Sequence, residues 1–161
     1  MYTGDVLLDL HERGHRSLRL LLGHCEQLTS EEFNRELPGF GYATVRLQLE
    51  HLIGAEDYWV SVIQGRFRDD APEVECPSTA ALETYRIRVA QTTDEYLRQA
   101  SEEELNTARE MWTWPGKMRT LVPARVFVRT FAHIYQHQGQ VAALCRLLGR
   151  PIPTGMDFPL D

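Results

Sequence analysis

Residues 123–148 read PARVFVRTFAHIYQHQGQVAALCRLL, and their spacing is the clearest statement of architecture in the chain. Val126, Thr130, His133, His137, Val141, Leu144 and Leu148 recur in steps of three and four. At about 100° per residue such steps place them on one helical face. Pro123 is tolerated in a first helical turn, where its missing N–H has no intrahelical partner to lose. Gly149 supplies the stop and Pro151 blocks continuation. The face that should be wholly apolar thus carries two imidazoles one turn apart, pointing into a core.

Working outward, three more segments show the same period. Asp5 to Leu28 repeats Leu7, Leu10, Leu18, Leu21, Cys25 and Leu28. Ala43 to Gln64 gathers Arg46, Glu50, Asp57, Ser61 and Gln64 on one side and is otherwise nearly all apolar, which predicts deep packing. Thr79 to Ala100 presents Leu82, Tyr85, Val89, Thr93 and Tyr96, with Ser78 or Thr79 as its cap. Thr29 to Glu32 and Ser101 to Leu105 read as capped short turns, and Leu37 to Gly41 as a loop. Gly65 to Pro77 is a linker bounded by Pro72 and Pro77, and Met111 to Val122 is an irregular excursion or small hairpin around Pro115-Gly116. The expected fold is all-α: one domain over residues 1–161, an antiparallel four-helix bundle with short extra turns and an excursion before the last helix.

The totals narrow the function classes. With 17 basic and 23 acidic side chains the net charge is −6, which argues against a nucleic-acid partner, since that needs a basic face. No apolar run approaches the roughly 20 residues of a membrane span, and Met1 to Asp9 lacks the apolar region of a signal peptide. Cys25, Cys76 and Cys145 are odd in number and unpatterned, so a disulfide framework is not expected. A soluble protein of the reducing cytoplasm, acting on a small molecule, is the expectation.

The chemistry then rests on histidines. His51 lies on the second segment away from Glu50 and Asp57, with Leu47, Ala55 and Tyr58 beside it. Three imidazoles from two helices converge on one interior. A lone buried histidine is ordinarily a neutral ring hydrogen-bonded to a neighbour, and a polar core network remains an alternative for all three. A divalent metal would serve His51, His133 and His137 together. His11 and His15 form a second pair at the same spacing but sit on the flank of their stripe, and a solvated rim position is expected for them. His24 has no partner at ligand spacing. Thr130, Gln140, Gln48 and Tyr58 are the polar neighbours that could orient ligands or substrate, and no carboxylate is expected on the ligand faces. Trp112 and Trp114 read as packing over the bundle end ahead of walling a cleft, and Arg119 and Arg125 as solvated charges. Cys145, about 100° from the ligand face, reads as packing.

His133-Ile134-Tyr135-Gln136-His137-Gln138-Gly139-Gln140, with Leu144 to Gly149 and Pro151 following, resembles the closing motif of the DinB-like (damage-inducible), or YfiT-like, metalloenzyme superfamily. Leu49-Glu50-His51 through Tyr58-Trp59 is similar to its second-helix signature. The resemblance implies a bundle whose three histidines, here His51, His133 and His137, hold one divalent ion, commonly zinc or nickel, with an open position. It implies a dimer in many relatives. Gln138 departs from the arginine usual after the last histidine. Some members use a low-molecular-weight thiol such as mycothiol or bacillithiol, so a thiol-dependent S-transferase is the leading expectation. A metal-dependent hydrolase of a small substrate and a non-catalytic metal-binding stress protein are the alternatives. His133 and His137 enclose no glutamate, so the metalloprotease arrangement with its helix-borne base is absent.

Overall fold

The computed structural model describes residues 1–70, 74–156 and 158–160. Four long helices are present: α1 (Gly4–Cys25), α3 (Val45–Ile63), α4 (Thr79–Gln99) and α6 (Pro123–Leu147). Two single-turn helices, α2 (Ser30–Asn34) and α5 (Glu102–Asn106), follow α1 and α4. The start of each helix except α6 is sealed by a hydroxyl side chain. Thr3, Thr29, Thr44, Ser78 and Ser101 accept backbone N–H groups that have no intrahelical acceptor. Thr29 and Glu32 complete a reciprocal capping box.

The two helices that carry the histidine triad end alike. Gly65 and Gly149 adopt φ of 66° and 76°, a left-handed conformation that costs a glycine little. Gly65 N–H bonds Val62 O and Arg66 N–H bonds Ser61 O; Gly149 and Arg150 make the equivalent pair with Arg146 O and Cys145 O. This is the Schellman arrangement, which satisfies the last carbonyls and turns the chain sharply.

Neighbouring helices pack in the ring α1, α4, α3, α6. His11 meets Asp94 and His15 meets Arg86, so α1 and α4 run antiparallel. His51 packs on His137 while Arg129 covers Trp59, so α3 and α6 are antiparallel too. The other two contacts are parallel: Ser17 with Gln138 and His11 with Phe131 between α1 and α6, and Cys76, just ahead of α4, on Glu50 near the start of α3. A parallel neighbour requires the chain to return the length of α3, and the linker after Gly65 makes that crossover. Pro72, expected to bound this linker, lies outside the described residues.

Residues 109–121 form a hairpin, β1 (Arg109–Thr113) paired antiparallel with β2 (Lys117–Leu121), with Thr113 opposite Lys117 and a cis Trp114–Pro115 bond at the turn. Met111 and Thr113 point inward, while Trp112 and Trp114 are 45% and 69% exposed. The packing role expected for the two tryptophans is therefore not what the hairpin assigns them. Strand alternation sends Met111 and Thr113 to the bundle and turns Trp112 outward. No helix among the described residues is long and apolar enough to cross a membrane.

Candidate metal centre

His51 comes from the middle of α3, and His133 and His137 from successive turns of α6. One ring nitrogen from each lies within 4.8 Å of the others'. The Nε2 atoms of His133 and His137 are 3.1 Å apart. Nitrogens bound at roughly 2.0–2.1 Å around a tetrahedral ion sit about 3.4 Å from one another, so this pair is already at ligand spacing.

Gln48, one turn before His51, decides the tautomer of His137. Its Nε2 donates to Tyr42 O and to Gln140 Oε1, both at 2.8 Å, which turns its Oε1 toward His137 Nδ1 at 2.6 Å. An amide oxygen only accepts, so Nδ1 carries the proton and Nε2 is a bare lone pair. His133 then has no comfortable state. With its proton on Nε2 it donates to His137 but leaves a buried Nδ1 lone pair without a partner; with the proton on Nδ1, two lone pairs face each other. A cation shared by the two Nε2 atoms removes that opposition, and the residues present fit a divalent ion, although His133 Nδ1 stays unbonded either way.

Electrostatics keep the rings in their ligating form. Burial pushes His51 down to about 4, with the charges of His137 and Arg129 adding to it. Burial takes His133 to about 4 as well, helped by His137, His51 and Arg129, and burial lowers His137. Neutral imidazole is the species that binds metals. Tyr42 stacks on His51 at 4.0 Å between centroids.

His51 and His133 border a cavity of about 1450 Å³. Tyr58, Trp59 and Trp114 line it, with Phe67 and Val74 from the crossover linker. Glu50 and Asp57 line it also, so carboxylates do share the space beside His51, contrary to the sequence expectation. They reach it because the linker wraps the α3 face that periodicity marks as solvent. Of the expected polar neighbours, Gln48 and Gln140 form the clamp on His137. Tyr58 stands on the cavity wall, its hydroxyl accepting Trp114 N–H at 3.0 Å, and Thr130 donates back to Val126 O within its own helix. Gln138 faces α1, where its Oε1 lies 2.9 Å from Ser17 Oγ. His24 reaches Arg150 O. Arg119 lines the cavity, whereas Arg125 is exposed elsewhere, and Cys145 is fully buried against Cys25.

His11 and His15 are not on the rim. They are 1% and 6% exposed and grip a fully internal glutamate, Glu56, that sequence reasoning overlooked. His11 Nε2 and His15 Nε2 each lie 2.8 Å from one Glu56 oxygen, Thr93 Oγ1 donates to Oε1 at 2.7 Å, and His11 Nδ1 reaches Asp94 at 2.8 Å. Arg86 lies 3.3 Å from His15 Nδ1, and an arginine only donates, so that nitrogen accepts. Burial alone would depress His11, but Asp94 and Glu56 outweigh it and raise it to about 9. Burial likewise works against the Glu56 carboxylate, and His15 and His11 hold it well below its ordinary value. These three side chains can be drawn around a metal as well. Protons already fill each nitrogen–oxygen gap at hydrogen-bond length, so the cluster reads as a closed ionic network. The available signal was the register of His11 with Leu7 and Leu18, four residues after one and seven before the other.

Four long helices that bring three neutral histidines together, two of them at the edge of a cavity, define a helical-bundle protein with a candidate mononuclear metal centre. The chain belongs to the DinB family, whose profile matches residues 5–161. It is similar in fold to a conserved protein from Enterococcus faecalis, with a TM-score of 0.69 at 18% identity over 92% of this chain and 99% of that one. A DinB-like protein from Bacillus cereus is similar with a TM-score of 0.64 at 18% identity, over 89% of each chain. No curated protein matches the sequence.

Proposed function

We propose that His51, His133 and His137 hold one divalent metal ion, zinc or nickel, and that the protein is an enzyme using it on a small molecule admitted through the cavity. The supporting observation is the Gln48 clamp, which leaves His137 Nε2 bare and facing His133 Nε2 at 3.1 Å beside open space. Three imidazoles with an accessible remaining position are the pattern of catalytic rather than structural zinc. An ion there would supply Lewis acidity, to a bound water or to a thiol held as thiolate.

The chain's own groups favour the thiol. Hydrolysis asks for a general base, and the carboxylates beside His51 are engaged: Glu50 accepts from Arg46 and Cys76 N–H, and Asp57 from Tyr85 and Arg88. A thiolate needs no base after it forms, so a thiol-dependent S-transferase is the leading reading. Metal-dependent hydrolysis is second, because Glu75 on the cavity wall has no hydrogen bond or ion pair among the described residues and is available as a base.

The deciding experiment is elemental analysis of the purified protein beside His133→Ala, followed by cobalt substitution. Near-stoichiometric metal in the wild type alone, and a tetrahedral cobalt spectrum that shifts with a low-molecular-weight thiol, are expected. Equal metal in both proteins sinks the centre. A spectrum indifferent to thiols, with turnover of small esters or amides in their absence, moves the assignment to hydrolase.

A further inference from the structure

Among the described residues, the cavity carries more cationic than acidic side chains. Four carboxylates and five guanidinium groups from these residues border it. Glu50 takes Arg46, Asp57 takes Tyr85 and Arg88, and Asp69 accepts the Trp112 indole N–H. Arg68 pairs with Asp70, and Arg66 donates to Gln64. Arg119 and Arg129 remain, with no carboxylate or carbonyl partner among the described residues, against the single unengaged acid Glu75. Counting also Arg66 and Asp69, whose partners are neutral, three cations less two acids leave a surplus of one positive charge among the described residues.

Arg129 is also placed to matter. It lies four residues before His133 on α6, so both side chains leave the same helical face one turn apart, and both line the cavity. Its guanidinium carbon stands 5.3 Å from the centroid of Trp59, on α3. A guanidinium attracted to an indole face keeps its N–H donors available to a planar acceptor. The neighbouring wall is apolar and aromatic, built by Trp59, Phe67, Trp114 and Val74.

We propose that Arg129, seated on Trp59 and joined by Arg119, is the anchoring subsite for a small molecule carrying one carboxylate on an apolar or aromatic body, whose far end lies by His51 and His133. A carboxylate matches the guanidinium fork with two parallel hydrogen bonds, and its single charge matches the surplus. A phosphate dianion would meet the four wall carboxylates with an excess of negative charge. The proposal deepens the enzymatic reading by naming its substrate class, but carboxylate binding itself does not need the metal.

The test is calorimetric titration with phenylacetate, phenylacetamide and inorganic phosphate, on the protein as purified and after chelation, for wild type, Arg129→Gln and Arg129→Lys. Phenylacetate should bind, and both Arg129→Gln and replacement of the acid by its amide should weaken binding by about tenfold or more. Arg129→Lys should recover part of the loss, since it restores charge without the fork. Metal content should be the same in all three proteins. Undetectable phenylacetate binding, equal binding of acid and amide, or an unchanged Arg129→Gln overturns the subsite, and tighter binding of phosphate overturns the carboxylate assignment. Should the wild type lack metal while the chelated protein still shows the arginine-dependent binding, the enzymatic reading fails and the subsite stands.

Discussion

Gln48 on α3 and His137 on α6 meet at 2.6 Å, oxygen to Nδ1, and this one contact sets which nitrogen of His137 faces the candidate centre. The amide cannot turn over, because its Nε2 is committed to Tyr42 O and Gln140 Oε1.

Replacing Gln48 by Leu should therefore cost metal affinity without touching a ligand. The loss of a partner that orients a histidine is typically about 10- to 100-fold. Competition against a chromophoric chelator measures it. An affinity within twofold of wild type would mean that the rings orient themselves.

His51→Ala should abolish tight metal binding while far-ultraviolet circular dichroism stays near wild type, because Leu49, Leu52 and Ile53 on the same helix are buried independently of it. A variant that loses its helices would instead make the metal part of folding.

Glu56 is expected to be the most sensitive polar position in the bundle. Glu56→Ala leaves a raised-pKa His11 facing only Asp94, and breaking a buried pair in this way costs about 3–5 kcal/mol. Thr93→Val removes one hydrogen bond to the same carboxylate and should cost about 1–3 kcal/mol. Urea denaturation gives both values, and metal content should not change in the milder variant.

Stability of the metal-free protein should peak near pH 6.5 and fall on either side, for different reasons. His11 is raised from 6.5 to about 9, so its contribution is complete below 6.5 and disappears as pH climbs through 9, a loss of order 3 kcal/mol. His51 and His133 are lowered to about 4, so below 6.5 the unfolded chain takes up protons that the fold refuses. At lower pH still, Glu56 and Asp94, both held below their ordinary values, add to the acid loss as they protonate. Midpoints in urea from pH 5 to 9 should show an alkaline slope that His11→Gln flattens and an acid slope that His51→Gln reduces. An alkaline slope unchanged in His11→Gln would remove the imidazolium from the account.

Much of the candidate site was legible because two histidines four residues apart form a local pattern. His133 and His137 must share a face on any helix, and Val126, Val141 and Leu144 say that the face is buried. His51 followed from the same reasoning on α3. Glu56 escaped it, about 140° around α3 from His51, because the helix is apolar nearly all round and its wheel does not say which neighbour each side meets.

The four long helices, the Ser78 cap, the Gly149 stop and the shared face of His133 and His137 were legible from the sequence alone, since periodicity and capping chemistry act within a few residues. Packing settled which helices are neighbours, that linker residues such as Phe67 and Val74 become a cavity wall, and that His11 and His15 close on Glu56 while His51 and His133 border a cavity with His137 buried behind them. Those relations join residues 41 to 121 positions apart. A buried face specifies that it must be covered, and the covering element is chosen by packing of the whole chain.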